Sequence, residues 1–156
     1  MEVPSLGPRG EGWVAIQFLL MAAVVAAAVL PPEWPDAIER ELAVAGLALA
    51  VAGGVLVLSA GFALGHALTP FSRPRAATVV DGGPYRFLRH PMYAGGILFF
   101  LGVALLASVP SLVLAGVLAV VWALKAIDEE RRLEERFPEY EEYRERVRYR
   151  LAPGLY

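Results

Sequence analysis

The chain has 156 residues, 57% of them hydrophobic and 19% charged, with no cysteine and a net charge of −2. Soluble domains are usually about half apolar and about a quarter charged, so this balance points to a membrane protein. It excludes disulfides, thiolate metal sites and cysteine nucleophiles, and gives no reason to expect nucleic acid as a partner.

Residues 13–30 hold one polar side chain, Gln17, and residues 42–64 hold only Ser59. Each reaches the roughly 20 apolar residues that span a bilayer. The first is read as a retained span, since neither a lysine-rich start nor a small-residue cleavage site frames it. On the second, Gly46, Ala50 and Gly54, then Gly61 and Gly65, recur every four residues and predict close helix packing. Residues 91–127 form a third apolar region. As a single helix it would measure about 55 Å, nearly twice the roughly 30 Å of hydrocarbon. Ser108-Val109-Pro110-Ser111 interrupts it, so two antiparallel spans joined by a tight turn are expected.

After Lys125, Leu133, Phe137, Tyr140, Tyr143 and Val147 recur at helical spacing. They predict an amphipathic tail helix, bent near Pro138, that folds back over the loop before residue 91. The expected architecture is all-α: a polytopic membrane helical bundle of about four transmembrane helices with a C-terminal cytoplasmic amphipathic helix. Residues 1–156 make one domain. Arginine outnumbers lysine thirteen to one, a microbial bias, so a bacterial or archaeal cytoplasmic membrane is the expected setting.

Charge sets the orientation. "PPEWPDAIERE" carries four acids and one arginine, whereas residues 65–93 carry four arginines and one acid. Basic loops stay cytoplasmic, so both termini and the 65–93 loop are expected on that face.

The loop ends in "GGPYRFLRHPMYAGG". Pro91 suits a first helical turn, which places Arg89 and His90 at a helix N-terminus. The dipole and the N–H groups there favour an anion, Arg86 and Arg89 add charge, and Tyr93 adds a hydroxyl. A seat for a carboxylate or phosphate is one reading; anchorage to lipid headgroups is the other. Glu129 and Glu130 stand at the same end of the fourth span. They either accept from a ribose diol or ammonium group, or belong to a solvated face of ion pairs. Together the two sets suit a zwitterionic small molecule. Isolated His66 reads as an interfacial side chain. No metal site is expected from two histidines without ligand spacing. Gly82-Gly83-Pro84 forms a turn and no dinucleotide fingerprint.

"GPYRFLRHPMYAGG", followed after one hairpin by "EERRLEERFPEYEEY", resembles the isoprenylcysteine carboxyl methyltransferase family. Wider relatives of that family include phospholipid methyltransferases. The pattern falls on Arg89, His90, Pro91, Tyr93, Glu129, Glu130, Leu133, Phe137, Tyr140 and Tyr143, within residues 70–150. The resemblance implies a cofactor-binding core there, holding S-adenosylmethionine on the cytoplasmic side. It places the cofactor's carboxylate near Arg89 and His90, and its ammonium or ribose near Glu129 or Glu130. Tyr93 would shape the pocket, and Leu133 and Phe137 would lie against adenine. The implied acceptor is a small amphiphilic or lipid-like molecule; no catalytic residue is assigned, since methyl transfer from a sulfonium needs positioning above all. The ending "VRYRLAPGLY" departs from the family's Val-Pro-Arg ending and looks like that of NADPH-dependent sterol reductases. A phospholipid amine methyltransferase, such a reductase and a non-enzymatic membrane scaffold therefore stand as alternatives.

The orientation is checked with reporter fusions at Thr78 and Tyr156. Both should report the cytoplasmic side; opposite sides would break the four-span reading.

Overall fold

The computed structural model describes residues 3–30, 34–72 and 78–152. Five α-helices carry the fold: α1 (Glu11–Ala28), α2 (Asp36–Leu64), α3 (Pro91–Leu105), α4 (Val109–Arg136) and α5 (Tyr140–Arg146). There is no strand element among the described residues, so the chain is all-α as expected. Arg73 and Arg75, which weigh in the orientation argument, lie outside the described residues, as do Pro31, Pro32, Glu33 and the last four positions.

The apolar region after residue 91 divides where the sequence predicts. Pro91 opens α3, and Ser108 caps α4 by accepting from Ser111 N–H at 3.4 Å. Pro110 falls in the first turn of α4, where its missing N–H leaves no bond unmade. From there α4 runs without a break to Arg136, about 42 Å, so one rigid rod carries its acidic end beyond the apolar layer. The chain bends at Phe137-Pro138 and resumes as α5.

Helices α1, α2 and α4 are each long and apolar enough to cross a membrane. Helix α3, with 15 residues, is the shorter member at about 22 Å. The protein is an integral membrane protein: Phe18, Leu19, Val44, Val51, Leu58, Phe62 and Val113 are all more than half exposed. An apolar belt of that extent requires hydrocarbon around it.

Two helix pairs build the bundle, α1 on α4 and α2 on α3. In the first, Ser111 Oγ donates to Val24 carbonyl at 3.2 Å, and Val24, Ala115, Leu118 and Trp122 form a core with Phe100 and Ala104 of α3. In the second, backbone meets backbone. A Cβ added at Gly46 would lie 2.7 Å from Gly102 carbonyl oxygen, and one at Gly95 would lie 2.8 Å from Gly53 carbonyl oxygen. The seven-residue steps 46–53 and 95–102 therefore mesh antiparallel. The four-residue register expected on α2 is corrected here. Gly46 and Ala50 both meet Gly102, but Gly53 rather than Gly54 makes the next backbone contact, and Cβ atoms at Gly61 and Gly65 would meet nothing within 4 Å. Two turns of helix advance about seven residues, so a close antiparallel crossing selects that spacing. Because α1 packs on α4 and α2 on α3, α1 and α2 stay largely unpacked against each other.

Gly102→Ala should cost about 1–3 kcal/mol, because a backbone neighbour cannot move aside for a methyl group. Gly61→Ala should be neutral or stabilising, through helix propensity of up to about 1 kcal/mol. Thermal unfolding in detergent checks both; equal effects would disprove the backbone contact.

Candidate functional site

Gly83 takes a left-handed backbone (φ 56°) that starts a 3-10 turn over Gly83–Arg86 and tucks Tyr85 inward. Three residues on, the chain meets its own tail. Arg89 N–H donates to Tyr149 carbonyl and His90 N–H to Arg150 carbonyl, each at 2.9 Å. These bonds satisfy donors that the entrance to α3 would otherwise leave open. Side chains reinforce the seam. Arg89 Nε donates to Glu130 Oε1 at 2.8 Å, and its Nη1 donates to the carbonyls of Val147 (2.9 Å) and Arg148 (2.8 Å). Arg150 donates to the other Glu130 oxygen from Nε at 3.0 Å and Nη2 at 2.7 Å. That charge-assisted pair raises the Arg150 pKa further.

Tyr143 Oη donates to Tyr85 carbonyl at 2.8 Å. Burial pushes the phenols of Tyr85, Tyr140 and Tyr143 well above their ordinary range, so all three are neutral donors and not bases.

Between this seam and the bundle lies a cavity of about 790 Å³. Its polar end is walled by Tyr85, Arg89, His90, Tyr93, Glu129, Tyr140 and Tyr143, with Leu133 beside them. Tyr93 Oη donates to Glu129 Oε1 at 2.5 Å, and His90 Nδ1 lies 3.6 Å from Glu129 Oε2. His90 Nε2 stands 3.2 Å from Glu130 Oε1, off the line of a hydrogen bond. The rings of His90, Tyr93 and Trp122 stack in a row, with centroids 5.7 and 6.0 Å apart. Tyr140 Oη, on a side chain 2% exposed, has no hydrogen-bond partner among the described residues. Buried hydroxyls are nearly always paired, so an orphan on a cavity wall suits a ligand that supplies the partner.

The other end is apolar. Met21 of α1, Val57 and Leu58 of α2, and Phe99 and Phe100 of α3 line it. Phe18 and Leu58, at its rim, are 52% and 63% exposed, so the arm opens through the gap between α1 and α2.

Of the residues singled out from sequence, Arg89, His90, Tyr93, Glu129 and Leu133 share the wall. Glu130 lies behind it, held by Arg89 and Arg150. Phe137 is also set back, packed with Tyr140, Tyr143, Val147 and Leu133. The helical twist separates the two glutamates: neighbours on a helix point about 100° apart, so one faces the cavity and the other the tail. Four contributors went unremarked as site residues. Lys125 and Gln17 bond to each other at 2.8 Å, Arg150 completes the Glu130 clamp, and Tyr140 carries the orphan hydroxyl. The signal for the first two was present: a lone amide and a lone lysine, each in an apolar helix. No group of histidine, aspartate and glutamate among the described residues could hold a metal ion.

Against known proteins, the profile of the family described as phospholipid methyltransferase matches residues 42–140. That stretch contains most of α2, all of α3 and α4, and the cavity-facing residues from Tyr85 to Tyr140. No curated protein and no solved structure matches the chain.

Arg89→Ala leaves the Glu130 carboxylate buried and half unpaired, which should cost about 3–5 kcal/mol. Arg89→Met combined with Glu130→Leu should recover much of that loss. Thermal unfolding of the singles and the double checks the coupling; additive losses would show that the two side chains act independently.

Proposed function

The chain belongs to the phospholipid methyltransferase family and is a membrane methyltransferase; we propose that it binds S-adenosylmethionine at the polar end of the cavity and methylates an amphiphilic acceptor drawn from the bilayer. One observation carries this reading: a single cavity joins a hydrogen-bonding end, at the loop and tail, to an apolar arm that opens between α1 and α2.

The residues present suit the cofactor. Glu129 offers carboxylate oxygens toward the cavity for an ammonium or ribose hydroxyl. Tyr140 offers a donor without a partner, and His90 a ring nitrogen 3.6 Å from Glu129. Leu133 supplies an apolar wall for a base. Arg89 acts here chiefly as a strut, because three hydrogen bonds already engage its guanidinium. It holds the tail closed and leaves the cofactor's carboxylate to His90 and Tyr140.

Bound there, the cofactor supplies a methyl group activated by a sulfonium. The protein's part is orientation and the exclusion of water, which suits a site roofed by a tail and floored by hydrocarbon. The apolar arm keeps the acceptor's tail in a lipid-like medium while its head reaches the polar end. The family match favours methyl transfer over NADPH-dependent reduction and over a purely structural role.

Calorimetry with S-adenosylhomocysteine tests the cofactor half. Glu129→Gln should weaken binding about ten- to a hundredfold and Tyr140→Phe about three- to tenfold. Unchanged affinity in both, or tight NADPH binding by the parent, would overturn it. For the acceptor half, methyl transfer to alkyl chains of rising length in nanodiscs should improve about fourfold per methylene until the arm is full, after correction for partitioning. A flat response would rule out entry from the bilayer.

A further inference from the structure

Gln17, the lone amide of α1, is 6% exposed and lines the cavity. Its Oε1 accepts from Trp122 Nε1 at 3.2 Å and from Lys125 Nζ at 2.8 Å. An indole N–H and an ammonium only donate, so the amide has one orientation, with its oxygen toward them. Its two amide hydrogens have no partner among the described residues. Ser72 holds a second unused donor. It is 2% exposed, lines the same cavity, and its hydroxyl has no partner among the described residues. Lys125 Nζ also bonds Pro70 carbonyl, at 2.6 Å, which ties the segment holding Ser72 to α1. A Cβ on Gly10, just before α1, would fall 2.6 Å from Ser72 Oγ.

These donors stand at a boundary. Met21, one turn along α1 from Gln17, belongs to the apolar arm, and Trp122, bonded to Gln17, stacks on the Tyr93 ring at the polar end. Buried polar groups are nearly always paired, and the groups around Gln17 already supply donors, so what the wall lacks is an acceptor. An uncharged acceptor suits neutral donors. A buried anion would need a cation to answer it, and Lys125 is engaged by Gln17, Pro70 and Glu129.

We propose that Gln17 and Ser72 form a second subsite, which holds an uncharged carbonyl oxygen at the ester or amide link between the acceptor's head and its alkyl chain. The inference rests on the reading above in that an amphiphile fills the cavity, and it adds what joins the two halves of that molecule. With the head at the Glu129 end and the chain in the apolar arm, the link falls at the boundary that Gln17 marks. A carbonyl oxygen has two lone pairs, enough for an amide N–H and a hydroxyl together. Gln17 lies before residue 42, outside the stretch that the family profile matches, so the family match does not supply this subsite.

The test uses the full chain in nanodiscs of ether-linked phosphatidylcholine, whose lipid offers no ester. The probes are 1-dodecanoylglycerol, N-dodecanoylserinol and 1-O-dodecylglycerol, which put an ester, an amide and an ether between like uncharged heads and chains. Retention by protein-loaded discs in excess of empty ones is measured without cofactor. Ester and amide should be retained over the ether by about tenfold, as two neutral hydrogen bonds would give. Gln17→Glu keeps an oxygen for Trp122 and Lys125 but puts an acceptor where the donors were, and the preference should fall to about twofold or less. Ser72→Ala should lower it about threefold with no loss of Tm, because that hydroxyl bonds nothing in the protein. Preference for the ester alone, or for the amide alone, would support the subsite and identify the link. Equal retention of all three by the parent would overturn the proposal, as would a preference that survives Ser72→Ala and Gln17→Glu. If Gln17→Glu does not fold, an unchanged preference in Ser72→Ala overturns it. Failure of the parent to bind S-adenosylhomocysteine would strike the cofactor reading instead, and the cofactor-free retention would still decide this one.

Discussion

The site depends on Glu130 held between Arg89 and Arg150. One carboxylate, 4% exposed, receives bonds from a residue at the entrance to α3 and from another in the C-terminal tail. Two pieces of chain far apart in sequence are thereby fixed to the C-terminal part of α4. Arg89 adds two tail carbonyls and the backbone adds two more bonds, so the tail is laced to the loop and not merely laid over it. Buried ion pairs contribute little net stability, but removing one partner is expensive. The clamp therefore acts less as a source of folding energy than as a constraint on where the tail lies. That position makes the roof of the cavity, because α5 hangs Tyr140 and Tyr143 over it.

The same cavity exists because packing is uneven. Glycines at 46, 53, 95 and 102 draw α2 and α3 to backbone contact, and small residues with Ser111 draw α1 onto α4. Two tight pairs meeting along α3 and α4 leave a wedge between α1 and α2. In water such a wedge would collapse or recruit a partner. In hydrocarbon its lining costs nothing to keep exposed, since lipid tails are as apolar as the side chains. The apolar arm is thus compatible with a stable fold only in the environment that also supplies amphiphiles.

Much of this was legible in the sequence. Pro91 and Pro110 mark helix starts by chemistry that is local, and the apolar length of the spans follows from composition. The pairing of the 82–96 stretch with the tail was legible as well, because parity and charge put both on one side. The register of α2 against α3 was not: glycine spacing offered steps of four and seven, and only the partner helix chooses. Nor could sequence divide Glu129 from Glu130. The two are equivalent as letters, and their roles separate only when α4 is rotated by its contacts with α1 and α3. Tyr140 was visible as part of a pattern, yet its missing hydrogen bond is a property of the assembled roof.

That division of the two acids gives the cavity its polarity. Glu130, with two guanidiniums on it, presents no charge to the interior. Glu129, bonded by a neutral phenol, faces the cavity as an acceptor, with Lys125 one turn away toward the apolar arm. Along about 6 Å of helix axis the wall therefore passes from anion to cation, and then, at Trp122, to aromatic surface. A molecule lying along α4 with a positive group at Glu129 and a hydrocarbon tail past Trp122 meets Lys125 in between. The order of charges is set by a four-residue step on one rigid helix, so it cannot drift with the loops. The loop and tail close that wall and add Tyr85, His90 and Tyr140 to it.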